Sequence, residues 1–341
     1  MLSYSIVFPE KLKVEIVKEN IPGPGNGQVL CKAEKSLISI GTEMRCLRGE
    51  VDSGTNWSEW VKYPFKPGYC TTGTVVAAAG DVTGFKPGDR VVTMQTHSQY
   101  FIDNASNLIK IPDGISFEEA VWQPLGVITQ IGARRSELKL GETVGVIGLG
   151  IMGQLLTQYL KLLGARKILA LDISTARLKI ASENGATDCL NIDVKDAKEA
   201  IRNLTGGKML DVVYDVTGLP HILSFATQLV RRMGKVILLG DNTMPSRQFL
   251  GPNVVSDSVS ILGIHGSMCP AVGNEFNPWT WNEMAYLFFD FITRGKISIK
   301  PLISRLVSPM EAPEIYRWIN NDRPDALGVL FDWSLLKDER S

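Results

Sequence analysis

The chain has little histidine, no close cysteine pair, no net charge and no long apolar run. Each shortage excludes a class of function. Its five cysteines, Cys31, Cys46, Cys70, Cys189 and Cys269, are odd in number, scattered and without a C-x-x-C pair. That excludes a zinc ribbon or a disulfide framework and predicts free thiols. Lys+Arg and Asp+Glu both count 36, so no long-range field recruits nucleic acid or an anionic membrane. No apolar stretch reaches the ~18 residues that span a bilayer. The longest candidate, Ala120 to Ala133, is interrupted by Gln123, Pro124 and Gly126. The opening MLSYSIVFPEKLKVEIVKEN lacks a basic segment followed by an apolar core. The expectation is therefore a cytoplasmic protein without a signal peptide.

What is present is ordinary globular composition, 44% hydrophobic and 21% charged over 341 residues, a length that suits two domains. Up to Val121 the chain reads as strands and turns. Val29 to Ala33 and Gly73 to Ala77 are β-type runs, punctuated by Gly80-Asp81, Pro87-Gly88-Asp89 and Pro112-Asp113-Gly114. That pattern predicts a compact, barrel-like β domain. Near Leu140 it changes to alternating strand and helix. Thr143 to Ile147 is an apolar β run, and Gln154 to Leu163 carries a helical stripe of Leu155, Leu156, Tyr159, Leu160 and Leu163. Lys167 to Leu171 is the next strand. A helix from the cap Ser174 to Asn184 closes at Gly185. Strands at Asp211 to Val216 and Lys235 to Leu239 flank a helix over Pro220 to Val230. Such alternation predicts a doubly wound parallel sheet. Later helices are expected at Asn282 to Thr293 and Glu311 to Asn320, with Phe331 and Trp333 in a final strand.

The strongest motif is Gly148-Leu-Gly150-Ile151-Met152-Gly153, after a strand and opening a helix. The first glycine permits the tight turn, the second lets a pyrophosphate approach the backbone, and the third lets helix pack on strand. Phosphates then sit on the positive end of the helix. Asp172 ends the next strand, where a carboxylate binds ribose hydroxyls and repels a 2′-phosphate, favouring NAD. Arg177, five residues on, is a counter-signal, because a nearby Arg serves a 2′-phosphate.

Over nearly its whole length the chain resembles the medium-chain dehydrogenase/reductase superfamily, the relatives of zinc alcohol dehydrogenase. The resemblance rests on Ser39-Ile-Gly-Thr-Glu43, Pro67-Gly-Tyr-Cys-Thr-Thr-Gly73, Phe85-Lys-Pro-Gly-Asp-Arg-Val-Val92, Lys110-Ile-Pro-Asp-Gly114, Gln123-Pro-Leu-Gly126 and the Gly148 loop. It implies a GroES-like β-barrel catalytic domain built from residues 1–122 and 271–341, with a Rossmann domain, residues 123–270, inserted between them. It also implies an active site in the cleft, and a homodimer or homotetramer paired along the edge strand Val259 to Gly263. Thr217, Gly218 and Gly240 match cofactor-lining turns, the first two on the adenosine side, and His265 lies in a segment that passes near the nicotinamide in relatives. The departures matter most. Where zinc members place three metal ligands, this chain has Ile40, Tyr69 and Gln123. The four-cysteine structural lobe is also missing, so no zinc is expected. The pattern is similar to the zinc-free branch that includes bacteriochlorophyllide hydroxyethyl dehydrogenase and sugar- or alcohol-oxidising relatives.

Without a metal, side chains must handle the proton that accompanies hydride transfer. Thr42, at a position that touches the substrate oxygen in relatives, is a hydroxyl relay or a turn cap. Glu43 is a base or a structural partner of Tyr69. Tyr69 is a carbonyl donor or a filler of the vacated metal volume. His97 has a ring suited to acid–base work, or is structural. Trp57, Trp60 and Trp279 offer aromatic faces to a polyhydroxylated substrate, with Asn56, Asn274, Glu275 and Asn277 beside them, or else form a subunit interface. Gln123 is a further substrate-binding candidate. The expected activity is interconversion of a secondary alcohol, on a sugar, polyol or cyclitol, with its ketone, using NAD. An NADPH-linked enone reductase, a transient-oxidation enzyme that recycles its NAD and a non-catalytic NAD sensor remain as alternatives.

Overall fold

The computed structural model describes residues 1–321 and 326–337. The first part of the chain runs β1 (Leu2–Val7), β2 (Glu15–Asn20), β3 (Gln28–Leu37), α1 (Ile40–Arg48), α2 (Asn56–Trp60), β4 (Thr71–Ala78), β5 (Arg90–Thr93), β6 (Tyr100–Asn104), β7 (Ile109–Lys110), α3 (Phe117–Ala120) and α4 (Gln123–Arg135). There follow β8 (Thr143–Ile147), α5 (Ile151–Leu162), β9 (Lys167–Leu171), α6 (Thr175–Asn184), β10 (Asp188–Leu190), α7 (Ala197–Leu204), β11 (Leu210–Asp215), α8 (Ile222–Ala226), β12 (Val230–Leu238) and β13 (Ser260–Gly263). The chain closes with α9 (Trp281–Thr293), β14 (Ile303–Val307), α10 (Ala312–Asn321) and β15 (Gly328–Asp332).

The alternating stretch forms a six-stranded parallel sheet in the order β10-β9-β8-β11-β12-β13. This is the Rossmann order, with its switch point between β8 and β11. Strands β8 and β11 are buried on both faces, which is why they read as continuous apolar runs rather than alternating ones. Helix α5 lays Leu155, Leu156, Tyr159 and Leu160 into the core. Ser174 caps α6 by accepting the Arg177 N–H, and Gly185 ends it. The helix expected over 220–230 is shorter, Ile222–Ala226, because Leu229 already pairs with Leu210 and β12 begins at Val230.

The second sheet has the order β14-β15-β3-β4-β5-β7, with β6 paired to β3, and is the GroES-like part. Both chain ends build it: Leu330 in β15 lies antiparallel to Leu37 in β3. The buried Lys35 amine pins them, 2.7 Å from Asp332 and 3.4 Å from Glu118. Phe331 lies in β15 as expected, whereas Trp333 falls just beyond it in a single 3-10 turn. Helix α9 does not join this sheet. It packs on α4, where Phe288 lies 2.5 Å from the Cβ that Gly126 lacks, and Gln130 Nε2 donates to Met284 O. With Ser298 bonded to Gln158 of α5, the chain returns to the second sheet only at β14, later than the boundary at 270 read from the sequence. All five cysteines are free thiols. Among the described residues no helix is long and apolar enough to cross a membrane.

Candidate active site

The glycine loop is shaped as its residues require. Gly148 turns at φ +89°, and a Cβ there would lie 2.7 Å from Thr217 Cγ2. A Cβ on Gly153 would lie 2.0 Å from Gly148 O, so only glycine lets α5 pack this closely. Gly150 differs: it caps α5, and a Cβ on it would meet nothing within 4 Å. Its bare Cα borders open space at the N-terminus of a twelve-residue helix with no acid in its first turn. Ile151 and Met152 form that first turn. Free N–H groups and the helix dipole make this a place for a pyrophosphate.

Asp172, at the end of β9, accepts the Leu149 N–H at 2.7 Å and the Ser174 N–H at 2.8 Å, one on each oxygen. It thereby ties the glycine loop to the start of α6 and keeps acceptor capacity for ribose hydroxyls. The Arg177 guanidinium stands 4.0 Å from Asp172 and donates to Ala326 O at 2.9 Å. It is thus held toward the C-terminal segment. The loop, Asp172 and the open volume fit a dinucleotide.

On the other side of β8, the crevice is bridged by a residue that sequence reasoning missed. Arg45 on α1 donates to Asp241 O at 2.5 Å, Thr217 O at 2.9 Å and Gly218 O at 2.8 Å. Gly218 adopts φ +60°, and a Cβ on it would fall 2.7 Å from Arg45 Nη1, so the glycine admits the guanidinium. The Gly240 Cβ would fall 2.5 Å from Gly218 N, which locks the two turns together. Thr217, Gly218 and Gly240 therefore border the crevice at the ends of β11 and β12, with Asp172 across β8 from them. Trp57 Nε1 donates to the Asp241 carboxylate at 2.8 Å, and Asp52 bonds Thr243 O and Ser246 N. The α1–α2 segment thus straps the loop after β12. His265 follows β13, exposed, with Nδ1 2.7 Å from Ser267 Oγ.

Beside α1 lies a hydroxyl cluster. Tyr69 Oη is 2.5 Å from Ser39 Oγ and 3.4 Å from Thr42 Oγ1. Burial pushes the Tyr69 phenol up from its ordinary value, so it stays protonated through the neutral range. Behind this cluster, Glu43 is buried. It accepts the Ser39 N–H at 2.7 Å on one oxygen, and His97 Nε2–H at 3.1 Å and the Tyr316 hydroxyl on the other. His97 Nδ1 lies 2.7 Å from Ser36 Oγ, which accepts from Trp333 Nε1 at 2.8 Å. The partners assign His97 as the Nε2–H tautomer, donating to Glu43 and accepting the Ser36 proton on Nδ1. His97 is fully buried with both nitrogens engaged, and Glu43 is 1% exposed. Neither faces the cleft as a free acid or base. Together they hold Ser39 and the start of α1 behind Tyr69.

Ile40, Tyr69 and Gln123 do not make a zinc donor set. The neighbouring Cys70 thiol is buried, held well above its ordinary value by burial and then by Glu43, and accepts the Leu125 N–H. Among the described residues no group of three or more His, Cys, Asp or Glu could hold a metal. The aromatic candidates disperse. Trp57 is buried in the strap, while Trp60 is half exposed against Trp57 and Phe65. Trp279 is covered by the Arg134 guanidinium, 3.4 Å from its ring centre. Arg134 is in the last turn of α4, about 16 Å along the helix from Gln123 at 1.5 Å per residue. Arg134 thus covers one face of the Trp279 ring, at the end of α4 opposite Gln123.

Residues 152–284 match the family model described as zinc-binding dehydrogenase, and residues 25–124 the alcohol dehydrogenase GroES-like domain. D-guloside 3-dehydrogenase of Escherichia coli K12 is 26% identical over 274 residues, 78% of each chain. A zinc-binding dehydrogenase from Sinorhizobium meliloti 1021, in a structure bound to NADP, superposes with a TM-score of 0.81 at 22% identity, covering 97% of this chain and 99% of that one. A short chain alcohol dehydrogenase from Escherichia coli CFT073, complexed with NADH, gives a TM-score of 0.81 at 20% identity with the same coverage.

Proposed function

Because the chain belongs to the medium-chain dehydrogenase/reductase superfamily, we propose that it interconverts a secondary alcohol and its ketone by hydride transfer, with NAD(H) and without zinc. The alcohol is a hydroxyl of a sugar or polyol, as the name of the D-guloside relative supports. The observation that carries the reading is the Tyr69–Ser39–Thr42 hydroxyl cluster, backed by a fully satisfied carboxylate, with Tyr69 at a position that the resemblance gives to a metal ligand. The crevice around Gly148, Gly150, Gly153 and Asp172 holds the cofactor, whose nicotinamide supplies the hydride acceptor or donor when bound. Asp172 favours NAD, and Arg177, turned to Ala326, does not oppose it.

The chain's own residues then manage one proton. In reduction, the protonated Tyr69 donates to the substrate oxygen as negative charge builds there, and Ser39 or Thr42 passes a replacement proton. In oxidation, the same hydroxyls carry the alcohol proton outward to water. Glu43 and His97 act as positioning residues, since their hydrogen bonds are already filled. The purified chain should oxidise members of a sugar and polyol panel with NAD, read by reduced-nicotinamide absorbance, at full rate after chelator treatment that leaves no bound metal. Activity lost to the chelator and restored by zinc would overturn the metal-free part. Indifference to every alcohol and ketone in the panel would overturn the whole. We also expect two copies to pair along β13, one of the two edge strands of the parallel sheet. Sedimentation of the purified chain as a monomer would contradict that pairing.

A further inference from the structure

Helix α4 begins at Gln123 with no side-chain cap and no acid in its first turn. Pro124 removes one of the orphan first-turn donors, and the Leu125 N–H goes to Cys70 Sγ. The positive end of this thirteen-residue helix therefore abuts the Tyr69–Cys70 segment. At this end the Gln123 side chain is 1% exposed, and its Nε2 has no hydrogen-bond partner. An unpaired buried amide donor is costly, and uptake by a ligand is one reason for it to persist.

We propose that the Gln123 carboxamide N–H, backed by the positive end of α4, is the second donor to the substrate oxygen. With the Tyr69 hydroxyl it would form a two-donor cradle for the alkoxide in place of a metal. The inference rests on the dehydrogenase reading above and adds a residue to it. In reduction, the hydride arrives at the carbonyl carbon from the reduced nicotinamide, and the C=O π pair moves onto oxygen. Tyr69 protonates that oxygen. Gln123 transfers nothing: it holds the charge while it exists. In the reverse direction it stabilises the same alkoxide.

The test uses the full chain. Gln123→Met keeps length and removes the donor. Ketone reduction should lose about 100- to 1,000-fold in kcat, the range for one oxyanion donor, with the KM for cofactor unchanged. The thermal midpoint should not fall, because the orphan donor is gone. Gln123→Glu adds a readout that a structural role would not move. Its ionised form repels the alkoxide and its protonated form donates, so reduction should rise as pH falls through the carboxyl pKa, a step absent from the parent. Parent-like kcat in Gln123→Met overturns the proposal, and so does a parent-like pH profile in Gln123→Glu if the Met variant does not fold. Parent turnover with an unaffected Met variant removes only the cradle, whereas a parent with no turnover removes the dehydrogenase reading as well.

Discussion

Replacing Glu43 by leucine tests the buried network, because leucine nearly matches its volume and removes only the acceptor. Three donors converge on this carboxylate: the Ser39 N–H at 2.7 Å, His97 Nε2 at 3.1 Å and the Tyr316 hydroxyl. All three are out of reach of water, Glu43 being 1% exposed and His97 and Tyr316 fully buried. Each orphaned buried donor costs ~1–3 kcal/mol, partly offset because a carboxylate no longer has to be desolvated. The expected loss is about 3–6 kcal/mol, set against a typical total of about 5–15 kcal/mol. Glu43→Gln should cost less, about 1–2 kcal/mol. The amide oxygen keeps one side of the network, and His97 can switch tautomer to accept from the new NH₂ while donating to Ser36. Urea unfolding followed by tryptophan fluorescence reads both, since Trp333 belongs to the same network. A Glu43→Leu protein that unfolds within about 1 kcal/mol of the parent would refute the count of three satisfied donors.

Gly150→Val should abolish cofactor binding, measured by nucleotide fluorescence, with little change in melting temperature, because the added side chain enters open space where the phosphates belong. Gly153→Ala should instead destabilise the fold, since its Cβ would lie 2.0 Å from Gly148 O. Asp172→Ala should lower NAD preference over NADP, and unchanged selectivity would remove its ribose role. Tyr69→Phe should reduce ketone turnover by about 100- to 10,000-fold. Because burial raises the phenol pKa, the donor is present below that raised value and is lost only as pH climbs past it. Parent reduction should therefore show no alkaline fall before pH ~10.

The shape of the glycine turn was legible from the sequence because its causes are local. Gly148, Gly150 and Gly153 are within one turn and helix start, and the strand-to-Asp172 spacing follows from one βαβ unit. The side around Tyr69 was legible only as a set of candidates. Tyr69, Thr42 and Gln123 could be named from resemblance, but not the fate of Glu43 and His97, whose partners Tyr316, Ser36 and Trp333 are up to 297 residues apart along the chain. Arg45 went unnoticed although a signal existed: it stands three residues after Thr42 on a helix, so both share one face. The Arg134 contact of Trp279 was not legible, because tryptophan beside polar residues says nothing about which cation will cover one of its faces.

Glu43 is held in a fully buried place behind Ser39 and Tyr69, and its persistence there has a physical reason. A lone buried carboxylate with three donors is stable, whereas the same three donors without it would be orphans. Glu43 and its partners therefore constrain each other, whatever stands in front of them. The Ser39 N–H is one of those donors, and the Ser39 hydroxyl is the one that holds Tyr69. Glu43 thus acts on the cleft through geometry, fixing the hydroxyl at 39 and the first turn of α1. That turn also carries Thr42, and the next carries Arg45, which reaches the turns after β11 and β12. One short helix therefore registers the substrate-side hydroxyls against the cofactor-side backbone. Proton and hydride must move to and from the same carbinol, so the two halves have to be held in one frame rather than merely be present.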